Sequence, residues 1–478
     1  MQAVLQTKID EPLLEDMLTN LEKAKTWGPR AVSRLENLVR TGEDVSLFRV
    51  NPLKYASERG VPEQEAVEIF LYAASVGLFD MEWNLLCPGC TSVVESFASL
   101  NNLDSHFHCH ICNADNEASL DDYIQISFTV SPLVREIAFH HPELLSDADY
   151  LMKYHFSREG RVNGDANWLE TMVPHVPFFS YLEPGERKTF SGKIHDGFLV
   201  VSDLINHTGT ALVVGGVESG PATGAIIIKP GLVRTDVAGL ASGSVTLTFQ
   251  NDSPRRSLAA LINLPADYKT AYPVSFAPFL SGKRLLNTQA FHDLFRHEVI
   301  KSVEGLGIKD VTILFTDLKG STALYERIGD LKAFSLVRQH FDVLGRVINE
   351  HGGAIVKTIG DAVMGSFMSS SEAVKAALEM RRAIQDLEQK TGRRDLIIKI
   401  GIHRGASIVV TLNDRLDYFG QTVNVASRVQ NLANADEIYL SEEVYNQEGV
   451  RSALGDIPVR EDKAKLKGIM DEVRVYVA

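Results

Sequence analysis

Four stretches of different periodicity follow one another along the chain. Up to about Val76, apolar residues recur at every third and fourth position, as at Ala66, Ile69, Phe70, Ala73 and Ala74. That is the spacing of one helical face, and Gly77 marks its stop. From Asp121 to about Asn263 the runs shorten to YIQISFTV, HVPFFSYL, DGFLVVSDL, TALVVGGV, GAIIIKPGL and GSVTLTFQND, each bounded by Gly, Pro, Asn or Asp. Regular short strands punctuated in this way predict an antiparallel sandwich. Residues Asp267 to Gly282 read as a linker, and Asn287 to Val303 as a helix placed to relay movement. After Lys309 the pattern predicts a strand (VTILF), a long amphipathic helix from Ala323 to Glu350 and a hairpin (AIVKTIG, AVMGSF). A helix from Ser371 to Lys390 and the strands LIIKIGI and SIVVTL follow. Strands interleaved with helices in this order give an α+β sheet with helices on one face.

The expected architecture is therefore multidomain. Residues 1–120 form a helical region plus a cysteine-rich unit, 121–266 a central antiparallel β-sandwich, 267–308 a linker and connecting helix, and 309–478 an α+β domain. A length of 478 residues suits several such cores. The 62 acidic residues against 48 basic ones give a net charge of -14, the wrong sign for coating nucleic acid or an anionic membrane. No apolar run approaches the length of a spanning helix. The opening MQAVLQTKIDEPLLEDML alternates acidic and apolar residues like an amphipathic helix, unlike a secretion signal. A cytoplasmic protein is expected.

The four cysteines fall in two pairs, Cys87-Pro-Gly-Cys90 and Cys109-His-Ile-Cys112, with eighteen residues between them. This is the two-knuckle spacing of a zinc ribbon, in which four thiolates close a tetrahedron around one structural Zn²⁺ and leave no open position for chemistry. Disulfides would need an oxidising compartment. His106, His108 and His110 then read as strand residues beside a saturated metal. Glu82, Glu95, Asp104 and Glu117 nearby would repel phosphate, so the unit reads as a staple.

Three segments of the last domain carry candidate chemistry. VTILFTDLKGST is a buried strand ending in Asp317, followed by a turn whose backbone N–H groups from Leu318 through Gly320, Ser321 and Thr322 suit a phosphate. Lys357-Thr-Ile-Gly-Asp361 places a second carboxylate at a hairpin tip, where it and Asp317 could share two cations. LDYFGQTVNVASRV, from Leu416, sets Asn424 and Arg428 one helical turn apart on one face. A permanently charged fork and an amide suit a pentavalent phosphorus and a sugar oxygen.

Together FTDLKGST, VKTIGDAVM and LDYFGQTVNVASRV resemble successive signature blocks of the class III nucleotidyl cyclase domain, over about Lys309 to Val477. The resemblance implies a ferredoxin-like βαββαβ fold, Asp317 and Asp361 as ligands of two Mg²⁺ or Mn²⁺ ions per site, and Asn424 and Arg428 as transition-state stabilisers. It implies that Lys357 and Asp417 read adenine. Lysine donates to N1 and aspartate accepts from the exocyclic amine, whereas guanine presents the opposite pattern. It also implies a triphosphate contact from Lys465 or Lys467, with Lys465 the better aligned. Finally, it implies a homodimer whose sites take the metal carboxylates from one protomer and the adenine, Asn and Arg set from the other.

Ser321 stands where the family usually has Phe, and the hairpin before Asp417 is shorter than in animal enzymes, as in a bacterial branch. His403 and Arg404 read as structural. The N-terminal region, with IFLYAASVGLFDMEWNLLCPGC, PHVPFF and LEPGE, resembles a regulatory region found ahead of bacterial cyclase domains, which implies an unknown regulatory ligand or protein partner. The activity so implied is an adenylate cyclase making cyclic AMP from ATP. A guanylate cyclase and a catalytically silent nucleotide-binding regulator are the competing readings. All six active-site positions are filled, which argues against the silent one.

Overall fold

The computed structural model describes residues 9–146, 149–164, 166, 171–215, 221–302, 304–391, 396–467, 469 and 472–478. The expected opening helix falls partly outside them and runs over Glu11–Ala24 (α1), capped by Asp10, whose side chain accepts from Leu13 N. Ala31–Thr41 (α2), Pro52–Arg59 (α3) and Glu63–Ser75 (α4) follow. Their apolar faces pack on a three-stranded sheet of Phe79–Leu86 (β1), Val93–Phe97 (β2) and Ile124–Val130 (β5), in the order β2-β1-β5. The cysteine-bearing hairpin of His106–Cys109 (β3) and Ala114–Glu117 (β4) stands apart from that sheet. β5 is the run YIQISFTV that opens the stretch read as sandwich. It pairs with β1 instead, from Phe79↔Val130 to Leu85↔Ile124, because all seven of its residues are buried between helices and sheet.

Two further sheets share one core between them. A five-stranded sheet is built on Gly197–Asp203 and Ser257–Leu264, and a four-stranded sheet on Arg187–Ile194 and Gly243–Asn251. Leu199, Val201 and Leu261 of one meet Phe190, Leu247 and Phe249 of the other. Most pairings are antiparallel, but Thr223–Lys229 runs parallel to Gly243–Asn251, so the expected all-antiparallel pattern is broken there.

The segment read as a linker is packed. Val274–Phe276 pairs with Gly160–Val162, and Leu280 is fully buried. The expected helix from Asn287 to Val303 is only Gln289–Leu294 (α6), preceded by Gly282–Leu286 (α5). Beyond it, tertiary hydrogen bonds replace helical ones. The Glu298 carboxylate accepts from Ser99 Oγ and Leu100 N, and Ile300 N donates to Thr411 Oγ1.

The last domain is an eight-stranded sheet of Leu306–Leu318 (β6), Gly353–Ile359 (β7), Ala362–Phe367 (β8), Ile398–Leu412 (β9), Arg415–Phe419 (β10), Ile438–Ser441 (β11), Arg460–Lys465 (β12) and Glu472–Val477 (β13). Its order is β7-β8-β6-β9-β11-β13-β12, with β10 on β9. The single long helix expected after β6 is two, Ser321–Ile328 (α7) and Asp330–Glu350 (α8). Gly329 divides them at φ 80°, ψ 152°, outside any helical geometry. Ala333, Leu336, Val337, Leu344, Val347 and Ile348 of α8, with Ser370–Thr391 (α9), cover one face of the sheet.

The N-terminal region packs on the other face, beside the helix Gln421–Leu432. Ile313, Phe315, Met364, Val409 and Tyr418 join one apolar cluster with Trp83, Leu280, Leu285 and Phe291. Trp83 and Phe291 meet edge to face with ring centroids 6.0 Å apart. An ionic tie reinforces the join: Lys283 Nζ lies 2.9 Å from Asp121 Oδ1 and also pairs with Asp310, to which Arg404 donates at 2.6 Å. No helix of the described residues is long and apolar enough to cross a membrane.

Phe291 is fully buried in this shared cluster. Phe291→Ala should cost about 3–5 kcal/mol of unfolding free energy. In urea this reads as a lower midpoint of one common transition with unchanged slope. Two separate transitions for the two halves would contradict the shared core.

Candidate active site of the C-terminal domain

β6 delivers Asp317 to one end of the sheet, opposite Lys399. The β7–β8 hairpin turns over Gly360 and Asp361, with Ile359 facing Ala362. Thr316 lies opposite Val363, so one step on, Asp317 comes level with the turn. The two carboxylates sense one another. Burial first, then the charge of Asp361, pushes the Asp317 carboxyl above the usual aspartate range. Asp361 Oδ2 is buried and has no hydrogen-bond partner among the described residues. A buried oxygen of a carboxylate left unpaired beside a second carboxylate is costly, and a bound cation removes both penalties at once.

His340 of α8 belongs to the same neighbourhood and was not anticipated. It is fully buried with neither ring nitrogen hydrogen-bonded. Burial pushes its pKa down to about 4 against the opposing pull of Asp361. In the sequence it occupies a core position of an amphipathic helix, which reads as packing.

The turn after Asp317 is partly committed. Leu318 N–H serves the Asp317 carboxylate and Lys319 N–H donates to Ile397 O, while α7 begins at Ser321, and the amides of a helix's first turn have no partner within their own helix. Lys357 of β7 and the buried Asp417 of β10 form a direct ion pair at 2.5 Å, and Asp417 Oδ1 also accepts from Tyr418 N. Gln421–Leu432 (α10) starts just past Gly420 and carries Asn424, exposed, and Arg428, half-buried and without an ion-pair partner among the described residues. The helix lies hard against β9 because position 401 is glycine: a Cβ there would sit 2.2 Å from Gln430 N.

The profile of the adenylate and guanylate cyclase catalytic domain matches residues 304–477. The C-terminal third of this chain is a class III nucleotidyl cyclase domain. Residues 14–293, more than half of the chain, match a second profile, a family of unknown function (DUF5939), to which the chain also belongs. An adenylate cyclase of Anabaena cylindrica is 26% identical over 269 residues, covering 51% of this chain and 52% of that protein. One of Lachancea kluyveri is 31% identical over 152 residues, 28% of this chain and 8% of that protein. The chain thus spans about half or less of the length of these relatives. Among solved structures, an adenylyl cyclase from P. aeruginosa is 28% identical, covering 35% of this chain and 93% of that one, with a TM-score of 0.32.

Within the cyclase domain, Lys465 ends the edge strand β12 opposite Glu472, and Lys467 follows it, both exposed. Five strand spacings separate β12 from the hairpin strand β8, on the order of 24 Å. Neither lysine is brought to Asp361 of its own protomer. His403 is buried and bonded to Ser441 Oγ at 2.8 Å. Arg404 is taken up by Asp310. Beside Lys357 lies a cleft of about 280 Å³, walled by Phe291, His292 and Glu298 of the connecting segment and by Ile355 and Arg415 of the cyclase domain. The α6 side chain of Gln289 accepts from Ile355 N, two residues from Lys357.

The four cysteine sulfurs lie within 4.8 Å of one another, with Cys87 and Cys112 at 3.7 Å and Cys90 and Cys109 also at 3.7 Å. These separations are far beyond a disulfide bond. They match the edge of a tetrahedron with metal–sulfur bonds of about 2.3 Å. Hydrogen bonding among the thiols pushes the Cys109 pKa well down.

The Asp317 shift predicts a pH signature. Its raised pKa means that the ionised carboxyl disfavours the folded state, so Asp317→Asn should raise the melting temperature of the metal-free chain at neutral pH. The gain should shrink as pH falls through the elevated folded pKa and vanish below about 4, where the wild-type group is protonated in both states. A metal-free variant that melts lower than wild type at neutral pH would contradict the repulsion.

Proposed function

We propose that this cyclase converts ATP into 3′,5′-cyclic AMP and pyrophosphate at sites built across a homodimer, under control of its N-terminal region. The convergence of Asp317 with the unpaired Asp361 beside the first turn of α7 carries this reading. These two carboxylates would hold two Mg²⁺ or Mn²⁺ ions, which when bound acidify the ribose 3′-hydroxyl and neutralise phosphate charge. The 3′-oxygen loses its proton and bonds to the α-phosphorus as the bond to pyrophosphate breaks. The amides of Gly320, Ser321 and Thr322 meet phosphate oxygens. Arg428 sets its fork against the equatorial oxygens of the transition state, and Asn424 orients the ribose.

Adenine is preferred over guanine because Lys357 is a pure donor and Asp417 a pure acceptor, matching N1 and the exocyclic amine. Their ion pair in this structure must open to admit the base. A protomer then offers two half-sites, the carboxylate pair and the α10 face, each completed by a second copy. Ser441 and Glu443 fix His403, and Asp310 fixes Arg404, so neither side chain is assigned to substrate. The cysteine cluster is assigned one structural Zn²⁺, with all four positions filled by sulfur.

The decisive assay follows cyclic AMP and cyclic GMP formation side by side by the full chain with Mn²⁺ or Mg²⁺. Asp317→Ala and Arg428→Ala should each lower turnover by at least about a hundredfold. Mixed and allowed to exchange, the two inactive variants should recover roughly a quarter of wild-type activity, since half the dimers are mixed and each holds one intact site. Lack of recovery despite exchange would exclude sites shared between protomers, and a preference for GTP would exclude the adenine assignment. Separately, Cys109→Ser should reduce bound zinc below one per chain and lower the melting temperature, with zinc read by atomic absorption.

A further inference from the structure

One cavity of the N-terminal region lies outside the cyclase domain. It encloses about 550 Å³ between β2, β3, the segment from Asn102 to His106, and the helical turn of Tyr154 and His155. That volume lies within the range of small-molecule sites. Its walls are unusually flat-ringed: His155 and His207 stack at 5.6 Å with planes 24° apart, and His108 and His110 meet at 5.1 Å.

Two observations say what should fill it. His155 is 4% exposed, and neither of its ring nitrogens has a hydrogen-bond partner among the described residues. A neutral imidazole carries one donor and one acceptor, so the missing partner must both accept and donate. The second observation is charge. Glu95 and Asp104 line the same cavity, and neither has an ion-pair partner among the described residues. Burial, and then the charge of Asp104, pushes the Glu95 carboxyl up. The cavity's cation, Arg49, does not compensate them. It is spent on Tyr154 O at 2.6 Å and Ser96 Oγ at 2.9 Å, with its plane over the Tyr154 ring. Histidines and carboxylates do not gather closely enough here to form a metal site: the cysteine quartet is the only such group among the described residues.

We infer that this cavity is a binding site for a small planar nitrogen heterocycle bearing a cationic amine, its ring edge on His155 and its ammonium between Glu95 and Asp104. The cavity wall is wired to the catalytic domain. Ser99 Oγ and Leu100 N hold Glu298, and Ser105 Oγ holds Glu304 at 3.0 Å, on either side of the residues from Asn102 to Asp104 that line the cavity. Glu298 in turn walls the cleft beside Lys357. Filling the cavity therefore moves the connecting segment that borders Lys357. This second part of the inference rests on the cyclase reading, whereas binding itself does not.

The test uses the full chain and two probes of opposite charge, 2-(aminomethyl)benzimidazole and benzimidazole-2-acetate, with calorimetry for binding. The amine should bind saturably and the acid should not. Glu95→Gln with Asp104→Asn, both at the rim of the cavity, should weaken the amine by about tenfold, and His155→Phe should abolish binding. Absence of saturable binding, equal binding of both probes, or amine binding untouched by the Glu95/Asp104 pair would overturn the site. The pair keeps the test valid if His155→Phe fails to fold. Saturating amine should also change the rate of cyclic nucleotide formation in wild type but not in Glu298→Gln. An unchanged wild-type rate with binding intact would overturn the coupling alone, and inactivity without any probe would count against the cyclase reading.

Discussion

The structure depends on one strand being buried on both faces. Along β6, Leu314 and Leu318 face α8 and α9, while Ile313 and Phe315 face Trp83, Leu285 and Phe291 of the N-terminal region. Alternation of side chains along a strand makes this possible, and a continuous apolar run is its sequence mark. The consequence is mechanical. The strand that ends in Asp317 is clamped between two cores, and the N-terminal region forms half of its surroundings. The lysine-centred tie through Asp121, Asp310 and Arg404 fixes the same junction with charge.

Charged groups in the catalytic domain divide by whether they are answered. His403 with Ser441 and Glu443, and Arg404 with Asp310, are satisfied within the fold and are explained by it. Lys357 and Asp417 answer each other, which leaves a pair that can be parted by a base of matching pattern. Asp317, Asp361 and Arg428 have no ion-pair partner among the described residues, and Asp317 is met only by hydrogen bonds such as that from Leu318 N. Two like charges held at a hairpin tip work against folding, and such a cost is kept where a bound cation later repays it.

The N-terminal region repeats this logic. Its cysteines satisfy one another in a closed cluster, while His155, Glu95 and Asp104 line a cavity with no partners among the described residues. Between that cavity and the catalytic sheet run short links, Glu298 and Glu304 to the loop from Ser99 to Ser105, and Gln289 to the backbone of β7.

The sequence by itself determined the elements whose periodicity or chemistry is local. The helices before Gly77, the paired cysteines, the strand ending in Asp317, the Gly360-Asp361 tip and the one-turn spacing of Asn424 and Arg428 all follow from neighbours within a few residues. Where the reading differed, a distant partner decided. β5 left the sandwich because β1 and the helices bury both its faces. The connecting helix stopped at Leu294 because Ser99 and Leu100 claim Glu298 and Thr411 claims Ile300 N. The meeting of Asp361 with Asp317 was expected from the signature blocks, but only the tertiary structure put His340 near them and enclosed His155. These are contacts between residues tens to hundreds of positions apart, and local pattern carries no record of such distances.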